Sequence, residues 1–335
     1  MIGDAIRKLT EGQDLCAEEA HAAMTEIMSG QAGPASIAGF LIALRMKGET
    51  VEEVTEFARV MREHVVRVAP ARRPLVDTCG TGGDALQTFN ISTAAAFVAA
   101  GAGVAVAKHG NRSVSSKCGS ADVLEALGIK VEQPPAEVAR CIDDIGIGFM
   151  FAPAFHPAMK HAGPVRRELA LRTVFNALGP LTNPAGAEAQ VIGVYTPALT
   201  ELHAGALCKL GCRRAFVVHG REGLDELSTL GATKVTEVRD GGPRTYELTP
   251  EEVGLRRADP TEVRGGTPDE NAALLRDILE GEEGAPRDIV LLNASAAIVA
   301  GGLADTLVEG LAVARESVDS GRALDKLRQL QAAAA

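Results

Sequence analysis

Apolar residues recur at helical spacing through about the first 70 positions, then gather into short dense runs after Ala71-Arg72-Arg73-Pro74. In the first part, Pro34 stands where a first-turn proline opens a helix into ASIAGFLIALRMKG, and Gly48 is placed to end it. Thr50-Val51-Glu52-Glu53 reads as a capping box, and Val51, Val54, Ala58 and Met61 form one stripe of the helix that follows. Beyond Pro74 the period changes. LVDTC predicts a strand, GTGGD a turn, ISTAAAFVAAGAG a helix of small residues, VAVAK a second strand and SADVLEALG a second helix. Such alternation predicts a parallel sheet with helices on its faces. Further strands are expected at IGFMFAP, AQVIGVYT, RRAFVVHG and DIVLLNAS, and KVTEVRDGGPRTYELT reads as an antiparallel hairpin about Asp240-Gly241-Gly242. The fold class is therefore α/β. A small helical N-terminal domain (1–70, with a helical contribution from about 165–182) precedes a large domain (71–335) with a mostly parallel central sheet.

Composition narrows this picture. The 335 residues suffice for one large or two ordinary domains. With 3 % aromatics and no Trp, the core has to be built from Ala, Val, Leu and Ile. A net charge of −10 argues against nucleic acid as a partner, since binding its backbone requires a basic face. No apolar run approaches the ~18 residues of a membrane span, and MIGDAIRKLTEG lacks the apolar centre of a signal peptide. Cys16, Cys79, Cys118, Cys141, Cys208 and Cys212 show no repeated short spacing, so free thiols in the cytoplasm are expected.

Chemistry concentrates at the predicted strand ends. GTGGDALQTFNIST, Gly80 to Thr93, follows one strand and opens a helix. Its glycines admit a close ligand, and the helix N-terminus favours an anion. A dinucleotide fingerprint would need an acid at the end of the next strand, where Lys108 and His109 stand instead, and a Walker A loop would need a Gly-Lys-Ser/Thr. The stretch KHGNRSVSSKCGSADVLEAL supplies a second loop, with Lys108 and Arg112 as cations and Asn111, Ser113, Ser115 and Ser116 as neutral donors. Two such loops on neighbouring strand ends suit a ligand with more than one phosphate. Asp225-Glu226, after RRAFVVHG, could converge only in a turn, where a phosphate-bearing substrate would complete a magnesium shell. Arg166 and Arg167 precede FNALGPLTNP and could clamp a carboxylate or simply line a helix surface.

Together DTCGTGGD, FNIST, KHGNRSVSSKCGSADVLEALG, FNALGPLTNP and GLDELS closely resemble the anthranilate phosphoribosyltransferases over essentially the whole chain. The resemblance implies a nucleoside-phosphorylase-like fold and transfer of a phosphoribosyl group from 5-phosphoribosyl 1-pyrophosphate (PRPP) to anthranilate, in tryptophan biosynthesis. It also implies a homodimer through the helical parts, with no nucleic-acid or membrane partner. Carried to matching positions, PRPP would meet Gly80, Gly83, Asp84, Thr88, Asn90, Ile91, Ser92, Thr93, Lys108, His109, Gly110, Asn111, Arg112, Ser113, Val114, Ser115, Ser116 and Ser120. Anthranilate would meet Gly80, Asn111 and Arg166, the last through its carboxylate. Mg2+, as two ions, would be held by Ser92, Asp225 and Glu226. His109 and Asn111 are the implied catalytic residues, with His109 either taking the amine's proton or orienting a substrate. Two rivals stay in view: a pyrimidine-nucleoside phosphorylase using inorganic phosphate, and a non-catalytic relative that binds nucleic acid.

Overall fold

Pro34 opens and Gly48 closes the third of four N-terminal helices, α1 (Ile2–Thr10), α2 (Ala17–Met28), α3 (Pro34–Lys47) and α4 (Val51–Glu63). The capping box at Thr50 forms as expected: Thr50 Oγ1 accepts from Glu53 N at 3.2 Å, and Glu53 Oε2 accepts from Thr50 N at 2.8 Å. The computed structural model describes residues 1–83, 86–113, 117–240 and 242–334. Asp84, Val114, Ser115, Ser116 and Gly241 lie outside the described residues.

After Pro74 the chain runs β1 (Leu75–Gly80), α5 (Ile91–Gly101), β2 (Ala105–Gly110), α6 (Ser120–Ala126), α7 (Pro135–Asp144), β3 (Ile147–Phe151) and α8 (Ala152–Phe155). Two short helices, α9 (Gly163–Leu169) and α10 (Val174–Leu178), lead to β4 (Ala189–Gly193), α11 (Leu199–Lys209) and β5 (Arg214–Gly220). The hairpin β6 (Thr233–Arg239) and β7 (Gly242–Leu248) precedes α12 (Pro268–Glu280), α13 (Ala285–Ala300), α14 (Leu307–Asp319) and α15 (Arg322–Ala333). Among the described residues these strands form one sheet ordered β3-β2-β1-β4-β5-β6-β7. The five strands from β3 to β5 in that order are parallel, and the hairpin adds two antiparallel strands at one edge.

One expected strand is wrong. DIVLLNAS lies inside α13, because a short apolar run reads alike for a buried strand and for a helix buried on every side. Ile289 through Ala300 are all buried, and α13 packs with α5 and α14 over one face of the sheet. The Ala-rich faces of α5 and α13 let these helices sit close together, replacing the aromatic bulk the sequence lacks. On the other face, Phe40, Phe57, Ile27 and Leu44 of the N-terminal helices share a core with Val165, Phe175 and Leu178 from α9 and α10 and with Ile192 and Val217 of the sheet. The segment carrying Arg166 thus joins the helical unit to the α/β unit.

Candidate active site

The strand order reverses between β1 and β4, and in an open α/β sheet the ligand crevice forms outside the carboxyl ends of the strands at such a switch point. Gly80 and Gly193 end these two strands in register with each other. Thr81 N donates back to Gly193 O at 2.8 Å, and the chain then turns through Gly82 and Gly83 at φ +69° and +83°, a conformation that favours glycine. Gly82 N donates to Asp225 Oδ2 at 3.0 Å, so an anion already sits on this turn. Past it, Thr88 bridges to Arg264, and Asn90 precedes α5 without capping it. The Asn90 amide instead donates to Cys118 O at 3.2 Å and accepts from Asn271 Nδ2 at 3.0 Å, tying the two strand-end loops together. The N-terminus of α5 therefore has no side-chain cap and faces the crevice as an anion-binding end. Ile91 and Thr93 at the start of this helix are both buried, and among the described residues the Thr93 hydroxyl has no hydrogen-bond partner.

Both cations of the second loop are engaged by protein groups. Lys108 is 3 % exposed; its ammonium donates to the Thr78 carbonyl and, at 3.3 Å, to Ser92 Oγ. Burial pushes its pKa below the usual lysine value, against the attraction of Asp77, Cys79 and Glu226. Its charge therefore reaches the crevice across Ser92. Arg112 turns outward to Glu125, at 2.7 Å, and to Asp122, at 3.2 Å, under the edge of α6. Asp122 also accepts from Ser113 N at 3.0 Å and Gly119 N at 2.8 Å, stapling the loop shut at its base. Burial raises the Asp122 pKa, but these donors and Arg112 outweigh it and hold the carboxyl below its ordinary value. Asn111 and Ser120 face each other, with Asn111 N donating to Ser120 Oγ at 3.2 Å, and a Cβ on Gly110 would strike that hydroxyl and the Phe149 ring.

His109 lies beneath this loop with its Nε2 3.2 Å from His156 Nε2. Burial, then the neighbouring imidazole, lowers the His109 pKa to about 3, and burial lowers that of His156 to about 4, so both rings are neutral. Asp77 is fully buried beside them. Its carboxylate accepts from His109 N at 3.0 Å and from Asn183 Nδ2 at 2.7 Å, which fixes the end of β2 against β1.

Asp225 and Glu226 lie in bends after β5, the only kind of geometry that lets adjacent carboxylates face one crevice. Asn293 of α13 holds this segment from behind, donating to Leu227 O and accepting from Leu227 N, both at 2.9 Å. Asp225 lies against Gly80, whose added Cβ would stand 2.7 Å from Oδ2. Among the described residues no three His, Cys, Asp or Glu side chains form a metal cage. Two carboxylates with the Ser92 hydroxyl are hard oxygen donors, too few to enclose an ion. They fit magnesium whose shell is completed by substrate phosphate and water.

Arg166, half-buried on α9, lies 5.4 Å from the Phe175 ring centroid, and burial lowers its pKa. No hydrogen bond or ion pair among the described residues ties it to Gly80, Asn111 or any carboxylate. Asp77, His156, Arg172, Asn183, Gly193 and Asn293 join this site in addition to the residues expected from the sequence. The polar Asp77 inside an apolar strand was a readable signal. Asn293 was hidden by the misassigned strand.

Two family models cover the chain: the glycosyl transferase family helical bundle domain at residues 3–65 and its a/b domain at residues 72–324. An anthranilate phosphoribosyltransferase of Moorella thermoacetica is 58 % identical over 332 residues, 99 % of this chain and 98 % of that protein. The crystal structure of anthranilate phosphoribosyltransferase from Thermus thermophilus superposes with a TM-score of 0.93 at 50 % identity, covering 98 % of this chain and 99 % of that one. The Saccharomyces cerevisiae enzyme in complex with PRPP and Mg matches with a TM-score of 0.90 at 30 % identity, covering 99 % and 97 %.

Proposed function

The chain belongs to the anthranilate phosphoribosyltransferases, and from that premise we propose that it transfers the 5-phosphoribosyl group of PRPP to the amine of anthranilate, releasing pyrophosphate, in tryptophan biosynthesis. The observation that carries this reading is the Gly82 N–H to Asp225 bond at the switch point, which joins a phosphate-type turn to a magnesium-type carboxylate. The Gly80–Gly83 turn and the uncapped start of α5 (Asn90, Ser92) receive the pyrophosphate. Asn111, Ser113 and Ser120 of the second loop, with Asp84, Val114, Ser115 and Ser116 by family analogy, complete the donor site. Ser92, Asp225 and Glu226 would hold magnesium, as two ions in this reading, and the metal when bound would supply charge neutralisation of the pyrophosphate leaving group. One Gly82 N–H cannot serve Asp225 and a phosphate together, so a phosphate on the turn would take the place of Asp225 at that N–H.

The amine of anthranilate is unprotonated at neutral pH, so its lone pair attacks ribose C1 without a strong base while the bond to pyrophosphate breaks. A neutral, buried His109 with a strongly lowered pKa supports orientation of a substrate over proton removal. Arg166, half-buried without a described carboxylate partner, supports recognition of the anthranilate carboxylate. Pairing of two chains through the helical units belongs to the same proposal, and Met46 at the end of α3, 83 % exposed, is an apolar side chain a second copy could cover. Six free thiols support a reducing, cytoplasmic setting, and no helix among the described residues is long and apolar enough to cross a membrane. Mass spectrometry of the product tests the reaction: a phosphoribosyl adduct of anthranilate with one pyrophosphate released per turnover is expected. Pyrophosphate without the adduct would point to another acceptor.

A further inference from the structure

Arg172 stands in the link between α9 and α10, just after Ala170 breaks the helix at φ +48°. Among the described residues its guanidinium makes two contacts, both at the mouth of the crevice. Nη2 donates to Gly83 O at 2.7 Å, and the group stacks on Tyr195, 4.3 Å from the ring centroid. Tyr195 is itself anchored to the same turn, its N donating to Thr81 Oγ1 at 3.1 Å. The Arg172 carbonyl accepts from Arg45 of α3. One residue thus connects the helical unit, the turn after β1 and the exit of β4. No ion pair to Arg172 forms among the described residues, so its charge is not tied to a carboxylate there. A Cβ on Gly83 would stand 2.5 Å from Nη2 and 3.2 Å from Cζ, so the guanidinium covers the face of Gly83.

We propose that Arg172 is a positioning residue for the phosphate donor. It holds the Gly82-Gly83 turn by the Gly83 carbonyl, keeps the N–H groups of the turn directed at the donor's phosphates, and transmits the placement of α3 to that turn. A planar group that donates and stacks at once suits this task, and a lysine offers only a point charge on a flexible stem. The inference rests on the reading that the turn binds the donor's phosphates.

The test is steady-state kinetics with PRPP, anthranilate and magnesium on the full chain for Arg172→Ala, Arg172→Lys, Gly83→Ala and the double variant Gly83→Ala/Arg172→Ala. Loss of one charged hydrogen bond predicts a rise of about tenfold or more in the KM for PRPP with Arg172→Ala. The KM for anthranilate should stay within about threefold, and Arg172→Lys should recover part of the loss by donating to Gly83 O. Gly83→Ala displaces the guanidinium, so the double variant should be no worse than the poorer single one. An unchanged KM for PRPP in Arg172→Ala, with a raised one in Gly83→Ala, overturns the role of Arg172 and leaves the turn as the donor site. Unchanged values in both overturn the reading of the turn itself. If Arg172→Ala does not fold, Arg172→Lys decides: equal loss toward both substrates marks a general structural role and refutes the proposal, and a loss confined to PRPP supports it.

Discussion

Gly193→Ala should disable the crevice without replacing a residue proposed to bind anything. Gly193 ends β4 beside Gly80 and has no left-handed φ, so the demand there is for space alone. A Cβ at that position overlaps the main-chain carbonyl of Asp225 and stands 3.2 Å from its Cα. The obstacle is the backbone of Asp225, and no side-chain rotation relieves it. Reaching ordinary contact requires the Asp225 carbonyl to retreat by roughly 2 Å, in an interior packed as densely as a crystal. Overpacking of this kind costs about 1–3 kcal/mol, which lowers the melting temperature by roughly 2–4 °C per kcal/mol in a chain of a few hundred residues. The functional loss should be larger than the stability loss. A displacement of about 1 Å can lower a rate by about 10²-fold, and here it moves the carboxylate that both faces Gly82 and is proposed to hold magnesium. The assay is kcat/KM for PRPP as magnesium is varied, beside thermal melts of the same preparation. A fall of about 10²-fold with a raised magnesium requirement, in a protein that still melts cooperatively, is expected. Activity within about threefold of the parent at the same magnesium dependence would refute the steric argument.

Asp225→Ala should change sign with conditions. In magnesium, calorimetry should find PRPP bound about tenfold or more weaker; in EDTA it should bind as well as the parent or better, because Gly82 N–H is released and a negative charge removed. Weaker binding in both buffers would contradict the exchange of partners. Arg166→Ala should raise the KM for anthranilate about tenfold or more and leave that for PRPP within about threefold, and equal effects on both would detach Arg166 from the carboxylate. Stability should fall as pH falls. His109 and His156 have folded pKa values of about 3 and 4 against an unfolded value near 6.5, so between those limits the unfolded chain binds more protons and each unit of acidification costs up to about 1.4 kcal/mol per histidine. Melts from pH 7 to 5 should show this decline, reduced in His109→Gln, and a flat profile would mean that the rings titrate normally.

Much of this was legible in the chain because local rules and global packing agree. The proline at the start of α3, the glycine after it and the Thr50 box are local signals that survive folding unchanged. The βα alternation after Pro74 likewise predicted the parallel strands, and small residues in α5 predicted a helix packed on all sides. DIVLLNAS failed because total burial erases periodicity, and with it went the chance to see Asn293 supporting the acidic bend. Lys108 and Arg112 were visible as charges but not as directions. Alternation along β2 turns Lys108 under Ser92, and the capping acid of α6 with Glu125, 13 residues downstream, draws Arg112 outward. Gly193 and Arg172 carry no motif of their own. Their meaning comes from a β4 end and an α9–α10 link meeting the turn after β1, contacts across about 90 to 110 residues of chain that only the folded topology brings together.

The most direct test is the fluorescence of anthranilate after mixing with the purified protein, PRPP and magnesium. A rapid loss that EDTA abolishes is expected, with one pyrophosphate formed per anthranilate consumed. No loss, while calorimetry still finds PRPP bound, would keep the phosphate crevice and contradict anthranilate as its acceptor. No loss and no PRPP binding would contradict the transferase reading altogether.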